Sequence, residues 1–164
     1  MIKLIGIYSI TRKGPDMRIS SKGRYGLAAS IVMARNYASG AYLTVVSLSE
    51  QLGISKIYLE QVFSLLKNAE LVRSVKGAQG GYRLARPPQE INAFEVLTAL
   101  EQSLFEKTEK SVEKKASEIE SAMQDEVFSE IDKAVSSALS GVSLYSLVTK
   151  AEEFRKNESY MFYI

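Results

Sequence analysis

Ser55, Tyr58, Glu60 and Gln61 share a seven-residue window, and Lys22, Arg24, Lys76 and Arg83 stand on either side of it in the sequence. Hydroxyls, an amide and a carboxylate at this spacing can donate and accept hydrogen bonds, but no strong nucleophile or base stands among them. An amide of this kind pairs bidentately with adenine, a carboxylate accepts from cytosine N4, and Lys or Arg holds phosphate oxygens. The rest of the chain offers little competing chemistry. It has neither cysteine nor histidine, which removes disulfides, thiolate nucleophiles, imidazole bases and the usual ligands of zinc or iron–sulfur clusters. Its carboxylates alternate with lysine, as in the run E-K-T-E-K-S-V-E-K-K, the pattern of a solvated helix. No pair is set apart in an apolar context where a shifted pKa would be expected. A binding protein is expected rather than an enzyme, with no cofactor.

The elements that must position these groups lie between Val45 and Leu84. Ser47 and Glu50 have the S-x-x-E spacing of a capping box. Gly53 suits a helix stop, and Ser55 an N-cap for the next helix. In that second helix Ile57, Val62, Leu65 and Leu66 are expected inward, leaving Ser55, Lys56, Glu60, Gln61 and Ser64 outward. A short helix, a glycine turn and a second helix with a polar outer face predict a helix-turn-helix. Strand-like alternation follows in L-V-R-S-V, K-G-A-Q-G-G turns the chain, and Y-R-L returns it. A phosphate-cradling loop would open a helix after its glycines. Strand formers follow Gly81 instead, so a hairpin is predicted. Lys76 and Arg83 flank it and Gln79 stands at its tip, suited to phosphate and minor-groove contact. These elements together predict a winged helix-turn-helix.

Charge divides the chain at the same place. Residues 17–90 hold ten Lys/Arg against four Asp/Glu, a net +6, whereas residues 91–164 hold eight against fourteen, a net −6. A basic half that coincides with the motif is the footprint of a DNA-binding head. Residues 1–16 read as a poorly ordered extension without an essential role, broken from the patterned sequence by Gly14-Pro15. Residues 17–101 read as the winged head, 102–142 as a dimerisation region and 143–164 as a C-terminal helix and tail. Within the head, the two serines before Lys22 and Arg24 start a helix with Leu27, Ile31, Ala34 and Ala38 on one stripe. Cations in a helix's first turn are mildly disfavoured without an anion, which a DNA phosphate would supply; two solvated cations are the plain alternative. Pro87-Pro88 excludes helix, and Asn92 with Glu95 begins another capped one. From 104 to 139, apolar residues recur at Val112, Ala116, Ile119, Met123, Val127, Ile131 and Val135. That stripe is too long for a small head to cover, so a partner helix from a second copy is implied, with packing inside the chain the alternative for either half of it. Gly141 ends it, and Ser143 caps a short final helix. No run approaches the ~18 apolar residues of a membrane span, and no signal peptide is evident. A cytoplasmic protein without membrane partners is expected.

Three segments carry a resemblance: M-R-I-S-S-K-G-R-Y-G-L from Met17, S-K-I-Y-L-E-Q-V-F from Ser55, and V-K-G-A-Q-G-G-Y-R-L-A-R-P-P from Val75. In this order they resemble the Rrf-two family of bacterial winged-helix regulators, over essentially Met17 to Ile164. The resemblance implies a mainly α fold with a small β wing and a long dimerisation helix. It implies a homodimer that represses transcription on a palindromic operator in double-stranded DNA. The closing Y-M-F-Y-I and the K-G-A-Q-G-G-Y wing are nearest the branch that controls cysteine metabolism. Cluster-binding members carry three cysteines where this chain has Leu104 to Met123, so no iron–sulfur cluster is expected. That branch further implies cysteine synthase as a partner. Tyr160, Met161, Phe162, Tyr163 and Ile164 could reach it, with the terminal carboxylate held by backbone N–H groups; packing of the tail on the dimer core is the equal alternative. Two other readings remain: a regulator of another pathway sensing a ligand at the arm, and a protein–protein module that has lost DNA binding.

Overall fold

Ser20 opens the first helix, α1 (Ser21–Arg35), by accepting from the Gly23 N–H at 3.2 Å. The computed structural model describes residues 19–77, 80–101, 105–106 and 109–161, with backbone only at 158–161. The buried side of α1 is made of small residues, among them Gly23, Gly26, Ala29 and Ser30, together with Met33 and Ala34. Leu27 and Ile31 are only half-buried, and Ala38 is exposed in a 3-10 turn (Tyr37–Ser39). Of the predicted stripe only Ala34 is buried, and the buried face is rotated towards the small residues. The closest approach is made by the smallest side chains: a Cβ on Gly26 would lie 2.0 Å from Leu100 Cδ1.

The helix-turn-helix follows as α2 (Val45–Leu52) and α3 (Lys56–Asn68). The predicted cap at Ser47 is displaced by one turn. Thr44 is the N-cap, accepting from the Ser47 N–H at 3.0 Å, while the Ser47 hydroxyl donates to the Thr44 carbonyl. Gly53 ends α2 at φ 65°, a left-handed conformation that glycine adopts without steric cost. Ser55 then caps α3, accepting from the Tyr58 N–H at 3.2 Å. The inward face of α3 is Leu59, Val62, Phe63 and Leu66. Ile57, expected among them, is 71% exposed. Spacing decides this: 59, 62, 63 and 66 step by three, one and three around one face, and Ile57 falls outside that arc.

The wing is an antiparallel pair, β1 (Val72–Val75) and β2 (Gly81–Leu84), with Val72 opposite Leu84 and Arg73 opposite Arg83. Leu43 bridges the outer side of β2 through two 2.8 Å bonds with Tyr82. Glycine is required at 81 because a Cβ there would sit 2.5 Å from the Leu43 carbonyl oxygen. Tyr82 stacks on Phe63 at 4.5 Å and ties the wing to α3.

After a 3-10 turn (Pro88–Glu90), Asn92 and Glu95 form the predicted capping box of α4 (Ala93–Leu100). Arg86 binds both the Glu95 carboxylate and the Glu90 carbonyl, pinning the chain between wing and α4.

The long helix expected from 104 begins later. Residues 109–116 form turns, in which the Glu120 carboxylate folds back to accept from the Val112 N–H at 2.8 Å. Val112 and Ala116 therefore precede the helix rather than extend its stripe. From there α5 (Ser117–Met123), a π-helical turn (Gln124–Phe128) and α6 (Ser129–Ser140) run on without a break. The final helix, α7 (Leu144–Met161), is longer than expected. It returns to α1, with Arg35 and Glu152 paired at 2.9 Å and Leu144 fully buried in the core that also holds Phe63, Leu48 and Ile91. Among the described residues, no helix is long and apolar enough to cross a membrane.

Candidate nucleic-acid interface

Helix α3 presents Lys56, Ile57, Glu60, Gln61 and Ser64 outward because its other side is spent on the core. Ser55 caps the helix, so its hydroxyl oxygen already accepts one backbone proton while the residue stays exposed. Tyr58 is half-buried, its ring edge-on to Tyr25 at 5.2 Å. That contact assigns the ring to packing and joins α3 to α1. Glu60 does not stand uncompensated in a basic surface: Lys56 lies 3.7 Å away, one turn earlier, with both side chains more than half exposed. A pair this open holds little energy. It can separate when a phosphate takes the ammonium and a base takes the carboxylate.

The wing adds its charge beside this helix. Lys76 on the wing shares one groove with Lys56, Glu60, Lys67 and the Thr44–Val46 entrance of α2. The structure thus brings together Glu60 and Lys76, two of the residues singled out in sequence. Arg83 is turned to the other side of the hairpin, where its guanidinium lies 5.1 Å over the Tyr42 ring. It also stands directly opposite Arg73. Like charges facing each other across a strand pair destabilise it unless an anion sits between or near them. Lys22 and Arg24 occupy the first turn of α1, half-buried and exposed respectively, with Arg24 donating to the Ser21 hydroxyl at 3.3 Å. The Glu101 carboxylate accepts from the Ser20 N–H at 2.8 Å and fixes that turn from beneath. Gln79, predicted at the wing tip, lies outside the described residues, as do Phe162, Tyr163 and Ile164 of the tail; Tyr160 and Met161 contribute backbone to the end of α7.

Sequence reasoning missed Lys67 in the groove, missed Arg73 and Tyr42 as the neighbours of Arg83 on the far side of the hairpin, and misplaced Ile57. Lys67 was detectable: it follows Lys56 by eleven residues, close to three full helical turns, and so returns to the same face. Tyr42 carried no signal, because only the fold brings it under Arg83.

A helix-turn-helix whose second helix is polar outward, followed by a two-stranded hairpin that shares its groove, defines a winged-helix regulator. Comparison with known proteins narrows the class. A sequence model of the Rrf2 family, described as an iron-dependent transcriptional regulator, matches residues 19–150. The regulator CymR of Bacillus subtilis is 36% identical over 148 residues, covering 90% of this chain and all of that one. Its solved structure superposes with a TM-score of 0.63 at 33% identity, over 82% of this chain and 98% of that one. IscR of T. potens superposes with a TM-score of 0.66 at 33% identity, over 90% and 98%. IscR of Aliivibrio salmonicida is 43% identical over 88 residues, 54% of this chain and 52% of that one. The chain belongs to the Rrf2 family, and its relatives are regulators rather than enzymes.

The family's description names iron, so the donor set is decisive. Clusters are held chiefly by cysteine thiolates, in some centres with histidine, and this chain has neither residue. Among the described residues, no three carboxylates converge into a site that could hold a metal ion. The residues do not fit the group.

Proposed function

We propose that the chain is a homodimeric repressor that binds a palindromic operator in double-stranded DNA through α3 and the wing. The observation that carries this reading is the groove in which Lys56, Glu60, Lys67 and Lys76 converge beside the outward face of α3. Ser55, Glu60 and Gln61 face the major groove, with Tyr58 buttressing them and free to place its hydroxyl on phosphate. Lys22, Arg24, Lys76 and Arg83 hold the backbone, and Gln79 reaches the minor groove. Residues 17–101 form the reading head and 102–142 the dimerisation region. Residues 143–164 form the C-terminal helix and tail, and the helix is anchored to the head by the buried Leu144. Dimerisation is supported by the apolar residues that α5, the π-helical turn and α6 leave uncovered: Ile119, Val127 and Ile131 are each about half exposed.

The finer reading is control of cysteine and sulfur metabolism without an iron–sulfur cluster, in the cytoplasm. Its supports are the likeness to CymR, the global cysteine regulator of Bacillus subtilis, and the missing thiolate ligands. Cysteine synthase is the partner proposed for Tyr160 to Ile164, on the resemblance of the tail alone.

Selection of tight-binding duplexes from a random-sequence pool tests the reading directly. An enriched inverted repeat is expected. On that repeat Glu60→Ala should lose ~1–3 kcal/mol of discrimination against scrambled duplex. Equal changes on both duplexes would remove Glu60 from base readout, and failure to enrich any sequence would sink the operator itself.

A further inference from the structure

Ile57 is the most exposed of the large hydrophobic residues described, at 71%. A single exposed apolar residue is ordinary and by itself means nothing. Its surroundings give this one meaning. It occupies the first turn of α3, next to the Ser55 cap, and precedes Glu60 and Gln61 by three and four residues. Residues at those spacings are neighbours on one helix face. The core leaves it no place, because Leu59, Val62, Phe63 and Leu66 already fill the inner side at 0% exposure. Around it the exposed groups are polar or charged, namely Lys56, Glu60, Gln61 and Ser64. An oily side chain held at the leading end of a reading helix matches one group on a base edge. The 5-methyl of thymine is the apolar feature of the major groove.

We infer that Ile57 reads a thymine methyl group in each operator half-site, and that it does so jointly with Gln61. The two side chains divide an A·T-containing step between them: the amide pairs with adenine N6 and N7, while the branched side chain covers the methyl of the same or the neighbouring pair. Isoleucine suits the task because its β-branch restricts χ1, so little rotamer freedom is lost when the contact forms. Helix α3 packs on α1, α2, α4 and β1, and Ile57 stays exposed beside those contacts. The assignment rests on the DNA-reading function proposed above and adds to it a specificity for methyl-bearing pyrimidine.

Replacement of each operator thymine by deoxyuridine, one position at a time, removes only the methyl and tests the inference. One position per half-site should weaken full-length wild-type protein by about fourfold, the worth of one buried methyl-sized group. Ile57→Ala should bind the thymine operator about as weakly as wild type binds the uracil one, and should lose nothing further on uracil. Circular dichroism and sedimentation of Ile57→Ala should match wild type, since the side chain supports neither the core nor the dimer. Three results would overturn the assignment: no thymine at which uracil weakens wild type, equal uracil sensitivity in wild type and Ile57→Ala, or a change of oligomeric state in Ile57→Ala. Wild type that binds operator tightly yet ignores uracil removes Ile57 alone. Wild type that prefers no sequence removes the DNA-reading function with it.

Discussion

The reading head and the arm between residues 117 and 140 are both helical, and they are built on opposite economies of surface. In the head, α3 turns four side chains fully inward, Tyr82 stacks on Phe63, and the starts of α1 to α4 are each capped by a side chain. In the arm, α6 buries no residue at all, and α5, which opens the continuous helix, has no side-chain cap. A helix with a closed face is stabilised by what it covers, whereas one with an open apolar stripe is stabilised by what will cover it. The head closes its core within one chain, whereas the arm leaves Ile119, Val127 and Ile131 about half exposed. The π-turn at Gln124–Phe128 belongs to the same contrast. It adds an extra residue to a turn and rotates the apolar positions that follow, which a solvated helix has no need to do.

Leu144 is where the contrast can be broken most severely. It lies beyond the arm in sequence, yet it is fully buried in the head's core, and its N–H donates to the Ile91 carbonyl at 2.8 Å. Leu144→Ala should cost ~2–5 kcal/mol in denaturant unfolding, the range for truncating a buried leucine. A loss below ~0.5 kcal/mol would show that α7 does not belong to the head in solution. Ile131→Asp addresses the open face. In sedimentation at micromolar concentration it should turn a dimer into a monomer, and operator affinity should fall by ~10²-fold or more as the two half-sites become unlinked. The same variant should leave the head's unfolding unchanged, so a parallel loss of both would mean that the arm's stripe packs within its own chain.

The smallest effect concerns how a head helix begins. Thr44→Ala should cost ~1 kcal/mol by removing the oxygen that accepts from the Ser47 N–H. Ser47→Ala should cost clearly less, because its hydroxyl supports a carbonyl and caps no free N–H. The reverse order in thermal melts would restore Ser47 as the cap.

How much could be read in advance differed between the same two regions. In the head, Gly53, Ser55, the Asn92–Glu95 box and the hairpin after Val72 were all legible, since each depends on bonds between residues a few positions apart. Ser47 was mistaken for Thr44 because both residues can cap and local pattern cannot choose between adjacent turns. On the buried side of α1 only Ala34 was anticipated; Gly23, Gly26 and Ser30 were missed because they give no hydrophobic signal, although glycine permits the closest helix contact. In the arm, the apolar period was visible, but its beginning at Ser117 was not. That boundary depends on Glu120 reaching back to Val112, a bond that competes with continuing the helix.

The sequence by itself determined the class of this protein: local spacing dictates the helix-turn-helix, and composition removes thiolate and imidazole chemistry. The tertiary structure alone decided which side chains share the groove beside α3, which cation is held over Tyr42, and that Leu144 completes the head's core. Those outcomes depend on close packing between segments far apart in the chain, where shape and volume select the partner and no local period records the choice.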